Sequence, residues 1–408
     1  MTGRHLPDSG ATVVIVGGGQ AGAQLASSLR GNGFTGRIAM VSDDTALPYQ
    51  RPPLSKGYLT GRTGPEAVRL HGPEYYAENS VQVLTGDPAV RVLPSAHRVL
   101  LRSGTELRYE HLVLATGARN RSLPVPGADL PGVVGLRTLA EADVLRERLA
   151  SADRLVVVGG GFVGMEVSSS ATDLGARVSV IEAHERVMAR ALTPVTSEFF
   201  AEAHRVRGVR LELGEQVARF LGTATVTGVE TASGRRLPAD LVLVGIGVEP
   251  NTDLAEDAGL DVRDGIVVDA LLRTSAPDIS AIGDCARFPT PFAAAPVRLE
   301  SVQNAVDQAR CVAARLTGTA RPYRPVPWFW SRQAGVRLQI AGLTGGHDRT
   351  VVRGDLTRGE FSVLCFRGDR LLGAESVGQP AAHMAVRRAL ETGDRAMVRE
   401  LVDGSSAP

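Results

Sequence analysis

The sequence predicts an α/β chain: one strand–turn–helix–strand unit that occurs twice, then a separate α+β C-terminal domain. Two stretches and one change of texture carry that prediction. Val13-Val14-Ile15-Val16 is a run of apolar β-branched residues, the pattern of a parallel strand buried on both faces, and Gly17, Gly19 and Gly22 follow it. Leu155-Val156-Val157-Val158 repeats the run, and Gly159, Gly161 and Gly164 repeat the spacing. Past Gly318 the texture changes: Pro322 to Pro327 make a linker and alternating patterns replace the buried runs.

Glycines spaced G-x-G-x-x-G between a strand and a helix have a mechanical reading. The first permits the tight turn, the second lets a pyrophosphate approach the backbone, and the third lets helix and strand pack closely. The helix N-terminus then offers oriented N–H groups and partial positive charge to the phosphates. In the first unit the helix carries Ala21, Leu25, Ala26 and Leu29 on one face and stops at Gly31-Asn32-Gly33. The next strand, Arg37-Ile38-Ala39-Met40-Val41, leads to Asp43, where a carboxylate can accept ribose hydroxyls. In the second unit the strand Arg177-Val178-Ser179-Val180-Ile181 leads to Glu182. Two such units predict two bound dinucleotides, and two dinucleotides in one chain suggest electron transfer between cofactors.

The remaining elements follow from local pattern. Val81 to Leu84 and Arg98 to Leu101 read as short strands, and Leu112 to Ala115 as an apolar strand ending in the turn Thr116-Gly117. Ala239 to Val244 is a buried strand before the glycine turn Gly245-Ile246-Gly247. Gly265 to Asp269 and Ile279 to Ile282 are further strands, with Asp284 just past the second, where α/β sheets bind ligands. A helix spans Ser301 to Leu316. In the C-terminal domain, Arg337 to Ala341 and Phe361 to Phe366 are strands, and a last helix runs from Pro380 to Gly393.

Bulk properties narrow the function. At 408 residues, 43% hydrophobic and 22% charged, the chain reads as a globular protein of two or three domains. Its net charge of +1 gives no general case for nucleic acid or a membrane surface. The polar start, Met1 to Ala11, and apolar runs of strand length predict neither a secretory signal nor a membrane span, so a cytoplasmic location is expected. Cys285, Cys311 and Cys365 form no close pair, which argues against a disulfide framework, a cysteine zinc site and a redox dithiol. No metal site is expected. Of 45 basic residues all are arginine except Lys56, a compact ammonium that a planar guanidinium cannot replace. Lys56 ends Pro48-Tyr49-Gln50-Arg51-Pro52-Pro53-Leu54-Ser55-Lys56, a proline-stiffened loop able to hold Arg51 and Lys56 against an anionic ligand.

Longer markers now add to the fingerprints: Arg51-Pro52-Pro53-Leu54-Ser55-Lys56, Ala115-Thr116-Gly117, Gly283-Asp284-Cys285-Ala286, Glu300-Ser301-Val302-Gln303-Asn304-Ala305 and Pro327-Trp328-Phe329-Trp330-Ser331. With these the chain resembles the pyridine-nucleotide-dependent FAD oxidoreductases, and within them the NADH-dependent ferredoxin reductases of bacterial oxygenase systems. The resemblance implies two Rossmann-like dinucleotide-binding domains, one inserted in the other, plus a C-terminal α+β domain. The FAD-binding domain would be 1–118 and 249–320, the NAD-binding domain 119–248, and the C-terminal domain 321–408.

The resemblance also implies residue roles. FAD would lie on Gly17, Gly19, Ala21 and Gly22, with Asp43 at the adenosine ribose and Ala89 at the adenine. Arg51, Thr116, Gly117 and Arg137 would line its site, Asp284 would take the ribityl or pyrophosphate portion, and Val302 would present its backbone N–H to the flavin pyrimidine. NADH would lie on Gly159, Gly161, Phe162, Val163 and Gly164, with Glu182, Arg190 and Gly247 beside it. A carboxylate at Glu182 favours NADH over NADPH by repelling a 2′-phosphate, while His184, Arg186 and Arg190 could offset it. Lys56 matches the family's lysine beside the flavin, Glu166 its carboxylate partner, and Trp330 the aromatic residue close to the isoalloxazine.

The implied acceptor is a small iron–sulfur ferredoxin, separate because this chain has no cysteines spaced for a cluster. Arg298, Arg310, Arg332 and Arg337 are its docking candidates. A rubredoxin or monodehydroascorbate reductase, and an apoptosis-inducing-factor-like flavoprotein switch answering to NADH, stand as alternatives, and monomer and homodimer are both open. A glutathione-reductase type of enzyme is excluded, since no cysteine precedes Cys285.

Overall fold

A computed structural model describes residues 12–403, so the polar start of the chain lies outside the described residues. The chain separates into two units, the first built from 1–50, 66–119 and 249–325. Its centre is a parallel sheet ordered Ile279–Ala281, His111–Leu114, Thr12–Val16, Arg37–Val41 and Val81–Leu84. Thr12–Val16 is the middle strand, which is why its β-branched run is apolar on both faces: Val14 and Ile15 are fully buried. Helices Gln20–Gly31 and Val302–Leu316 pack on each other and share one apolar core with the sheet, through Leu25 and Leu29 on one side and Ala309 and Val312 on the other. A small antiparallel sheet, Ala89–Leu93, Arg98–Leu101 and Glu106–Arg108, joins the same core through Val92, Val99 and Leu107.

The second unit comprises 51–65, 120–248 and 326–408. Its parallel sheet, ordered Arg210–Leu213, Arg177–Glu182, Arg154–Val158, Leu241–Val244 and Val133–Val134, again puts the first strand of the fingerprint in the middle. A separate antiparallel sheet of Val217–Gly222, Val226–Thr231 and Arg236–Pro238 shares an apolar core with it through Phe220, Val226 and Val229. The C-terminal stretch forms its own antiparallel sheet, ordered Trp328–Gln333, Val336–Gly342, Arg370–Val377, Glu360–Arg367 and Arg349–Asp355. Phe361 to Phe366 is buried without alternation because both sheet faces are covered. Leu364 and Phe366 meet Val386 and Ala389 of helix Pro380–Thr392, while Phe361 meets Phe199 of helix Pro194–Val206 edge-on, ring centroids 5.0 Å apart.

One element corrects the sequence reading. The helix ending near Gly393 is not the last, because the chain continues into Arg395–Asp403. Gly393 closes the first helix at φ +68°, and Asp394 Oδ1 then accepts the Ala396 N–H at 2.7 Å to start the next. Leu401 is buried there, with Met397, Val398 and Val402 packed beside it. A glycine–aspartate pair that reads as a stop is a corner between two helices.

Candidate active site

The first fingerprint is shaped by close backbone approach. A Cβ on Gly17, whose φ is +125°, would overlap the Ala115 carbonyl, and one on Gly22 would overlap the carbonyl of Gly17. Gly19 differs, since a Cβ there meets nothing within 4 Å. Its helix also lacks a cap. Thr138, Thr193 and Ser301 accept N–H bonds at the starts of their helices, whereas Gly19 provides no side chain to do so. Open space before uncapped N–H groups is what a pyrophosphate requires, so these residues fit a dinucleotide such as FAD.

Other predicted residues gather at the same sheet end. Thr116 Oγ1 donates to the Asn251 carbonyl at 2.7 Å, Asn251 Nδ2 returns a bond to the Thr116 carbonyl at 2.8 Å, and the Asn251 N–H reaches Gly117 O at 3.0 Å. Gly283 stands where a Cβ would come within 3.2 Å of Ala21 Cβ, which places Asp284 beside the start of the fingerprint helix. The Gly283 N–H donates to Gln308 Oε1 at 2.7 Å, fixing that turn. Val302 opens the helix that Ser301 caps, and the Ser301 hydroxyl takes the Asn304 N–H, not that of Val302. Asp43 is exposed, one carboxylate oxygen accepting the Asp44 N–H at 3.0 Å. Ala89 stands at the head of its antiparallel strand. Arg298 leaves the docking set: its side chain is 9% exposed and Nη1 donates to Glu300 at 2.7 Å and to the Asp284 carbonyl at 3.2 Å. A side chain so buried cannot present charge to a partner.

Arg51 and Arg137 belong by contact to the second unit, where Arg51 Nη1 donates to the Arg137 carbonyl at 2.5 Å. In that unit the fingerprint is drawn a second time. Gly159, at φ +108°, would overlap the Gly245 carbonyl with a Cβ, Gly164 would overlap that of Gly159, and Gly161 fronts open space before an uncapped helix. Phe162 packs against Phe329 with ring centroids 4.6 Å apart, while Val163 is exposed. Glu182 braces the turn. Its Oε2 accepts the Gly160 N–H at 2.6 Å, and its Oε1 accepts the His184 N–H at 2.9 Å and approaches His184 Nδ1 at 2.5 Å. Arg186 is not available to a phosphate, because it donates to the carbonyls of Leu192 and Ala189 at 2.6 and 2.8 Å. Arg190 is exposed beside Gly247, where φ is +102° and a Cβ would stand 3.1 Å from the guanidinium.

Lys56 and Glu166 meet in the same unit. The short turn Pro52–Ser55 delivers Lys56, and helix Phe162–Asp173 carries Glu166 on its buried side. They form an ion pair with side chains 19% and 7% exposed. Lys56 Nζ also donates to the Pro52 carbonyl at 3.1 Å and lies 5.6 Å from the centroid of the Trp330 ring. Sequence reasoning missed the hydroxyls on Glu166: Ser55 Oγ donates to Oε2 and Ser331 Oγ to Oε1, each at 2.6 Å. Ser331 adjoins the tryptophan marker, but only the strand Trp328–Gln333 turns it toward this carboxylate. Among the described residues no group of three or more His, Cys, Asp or Glu is placed to hold a metal ion, and no helix is long and apolar enough to cross a membrane.

The arrangement can bind two nucleotides and hold a cation beside an aromatic ring, paired to a buried carboxylate. Comparison with known proteins agrees with that chemistry. Residues 11–309 match the family described as pyridine nucleotide-disulphide oxidoreductase, and residues 328–407 match the reductase C-terminal domain. The chain is 52% identical to rhodocoxin reductase of Rhodococcus erythropolis over 382 residues, 93% of this chain and 90% of that one. The ferredoxin reductase for the CYP199A2 system of Rhodopseudomonas palustris superposes with a TM-score of 0.92 at 46% identity, covering 94% of this chain and 95% of that one. The reductase in the covalent putidaredoxin reductase–putidaredoxin complex also gives 0.92, at 39% identity over 98% and 100% of the two chains. The chain belongs to the pyridine nucleotide-disulphide oxidoreductase family, as an oxidoreductase that uses FAD and a nicotinamide nucleotide.

Proposed function

We propose that this enzyme passes electrons from NADH through FAD to a small iron–sulfur ferredoxin that feeds an oxygenase. One observation carries the reading: two open glycine cradles before uncapped helices, in a chain with no cysteine before Cys285. Nucleotides can bind twice, yet no dithiol stands between them. Bound FAD supplies the step from hydride to single electrons, so one NADH reduces two ferredoxins. The kinship with reductases named for rhodocoxin and putidaredoxin supports an iron–sulfur acceptor. An NADH-fed electron donor of this kind works in the cytoplasm.

The residues then take these roles. The first cradle, with Thr116, Gly117, Asp284 and the Val302 N–H, holds FAD, and Asp43 offers its free carboxylate oxygen to a ribose. The second holds NADH, with the ribose on Glu182 and Arg190 at the phosphates. Lys56 supplies positive charge where the flavin becomes electron-rich, Glu166 keeps that lysine in place beforehand, and Trp330 packs beside the ring. In this reading the domains divide as 1–118 with 249–320, 119–248 and 321–408. Stopped-flow reduction by NADH tests it. Lys56→Met should retain FAD while the limiting rate of flavin reduction falls about 100-fold. An unchanged rate removes Lys56 from the reaction. NADH-driven turnover against a panel of small iron–sulfur proteins should favour a ferredoxin, and a faster rubredoxin would reassign the acceptor.

A further inference from the structure

We infer that Ser331 is a positioning residue for the Lys56–Glu166 pair, the last link of a one-way hydrogen-bond chain that begins at His204. The inference rests on the role proposed for Lys56. Glu166 can only accept, and it is almost wholly enclosed. One carboxylate oxygen serves Lys56 and Ser55, and the other serves Ser331. Ser331 has a single proton and gives it to Glu166, so its oxygen is left to accept from Gln333 Nε2 at 3.3 Å. Gln333 Oε1 in turn faces His204 Nε2 at 3.0 Å. An amide oxygen cannot donate, so His204 carries its proton on Nε2. Its buried Nδ1 has no partner among the described residues, and burial pushes the ring below the usual histidine range. Every bond in the series donates toward Glu166. Gln333 Nε2 also reaches Met188 Sδ at 3.4 Å, and the Met188 N–H donates to the Gly160 carbonyl at 2.8 Å. The same amide therefore touches the loop beside the second phosphate turn.

The consequence appears when the lysine lets go. Paired, Glu166 has an ammonium and two hydroxyls. Once Lys56 turns toward an electron-rich ligand, a buried carboxylate is left with the hydroxyls alone, and an uncompensated buried charge is costly. Charge-assisted bonds from Ser55 and Ser331 reduce that cost, so Ser331 eases the release of Lys56.

Stopped-flow reduction of the FAD-loaded enzyme separates the NADH Kd from the limiting rate. Ser331→Ala should lower the limiting rate about tenfold while the Kd stays within about twofold, as expected for one lost bond to a charged group. Ser331→Thr keeps the hydroxyl and should restore the rate to within about threefold of the parent. In a Lys56→Met background Ser331→Ala should add nothing, because the lysine it serves is gone. An unchanged rate in Ser331→Ala, a loss that threonine does not rescue, or an equal loss in the Lys56→Met background each overturns the inference. A Lys56→Met enzyme reduced at the parental rate would overturn the role of Lys56 itself, so the two failures are distinguishable.

Discussion

The two glycine turns, Gly17 to Gly22 and Gly159 to Gly164, are near copies in backbone and differ one strand away. Both first glycines take a positive φ against a neighbouring carbonyl, and both third glycines press on the first. The second unit then spends its acid on the turn, with Glu182 accepting the Gly160 N–H. In the first unit the facing position is Ser42, whose Cβ lies 2.8 Å from a Cβ built on Gly18. The acid comes one residue later, as exposed Asp43. The glycines are fixed by what the backbone must pass. The acid is free to brace the loop or to wait for the ligand alone.

The largest effects should come from the glycines, and they separate fold from ligand. Gly17→Ala meets a carbonyl at a strained φ and should destabilise the apoprotein by about 3 kcal/mol as well as abolish FAD retention. Gly19→Ala has extended dihedrals and open space, so apoprotein melting should stay within about 0.5 kcal/mol of the parent. Its FAD affinity should nonetheless drop about 100-fold, because a methyl fills the phosphate position. Gly159→Ala and Gly161→Ala should reproduce the contrast with NADH in place of FAD. Normal flavin titration of Gly19→Ala would show that the cradle is not where the pyrophosphate sits.

The acids rank next. On the proposed assignment Glu182→Ala removes a ribose acceptor as well as a brace on the turn, so the KM for NADH should rise about 30-fold and the preference over NADPH should erode. It should not reverse, since Arg186 is held by the carbonyls of Leu192 and Ala189 and is not available to a 2′-phosphate. On the same assignment Asp43→Ala removes a ribose contact and, among the described residues, only the bond from the Asp44 N–H, so the FAD Kd should rise by no more than about tenfold. Equal losses at the two positions, measured by titration and steady-state kinetics, would mean that the brace on Gly160 contributes nothing.

How much of this was legible in the sequence depends on how local the cause is. The central strands declared themselves because burial on both faces demands unbroken apolar runs, and the turns because only glycine passes a carbonyl so closely. Helix Leu139–Leu149 gives a weaker local signal, although Thr138 and Glu141 form a capping box. Its charged stretch hides a narrow apolar face of Ala142, Leu145 and Leu149. Helix Arg395–Asp403 is hidden by Gly393, which reads as a stop but closes only the preceding helix. In the site, Lys56 stood out as the lone lysine, but its partners come from distant segments that no periodicity links. Nothing local in the sequence singles out Gln333 or His204, Ser331 enters only as the end of the tryptophan marker, and burial takes Arg298 out of the docking candidates. Long-range hydrogen bonding leaves no local trace.

The smallest effect tests a second difference between the sheets. The strand beside Thr12–Val16 begins at His111, paired with Val13, where the other sheet pairs Leu155 with Leu241. Burial first, and Arg315 second, push the His111 ring down to about 3. The folded protein therefore stays neutral where the unfolded chain, titrating near 6.5, binds a proton. This contribution is complete above pH 6.5 or so and is lost as pH falls from about 6.5 toward 3, reaching about 2 kcal/mol by pH 5. His204, lowered by burial, and His383, pushed down to about 4, act in the same sense in the second unit. His111→Leu copies the second sheet into the first. Ser280 keeps the bond it accepts from Arg315 at 2.6 Å, but its own O–H loses the imidazole acceptor. That cost is present at both pH values and cancels in the comparison between them. Apoprotein denaturation at pH 7.5 and pH 5 should show an acid-induced loss about 2 kcal/mol smaller in the variant than in the parent. The same loss in both would place the acid sensitivity in the other histidines that burial holds neutral, His71 in the first unit and His204 and His383 in the second.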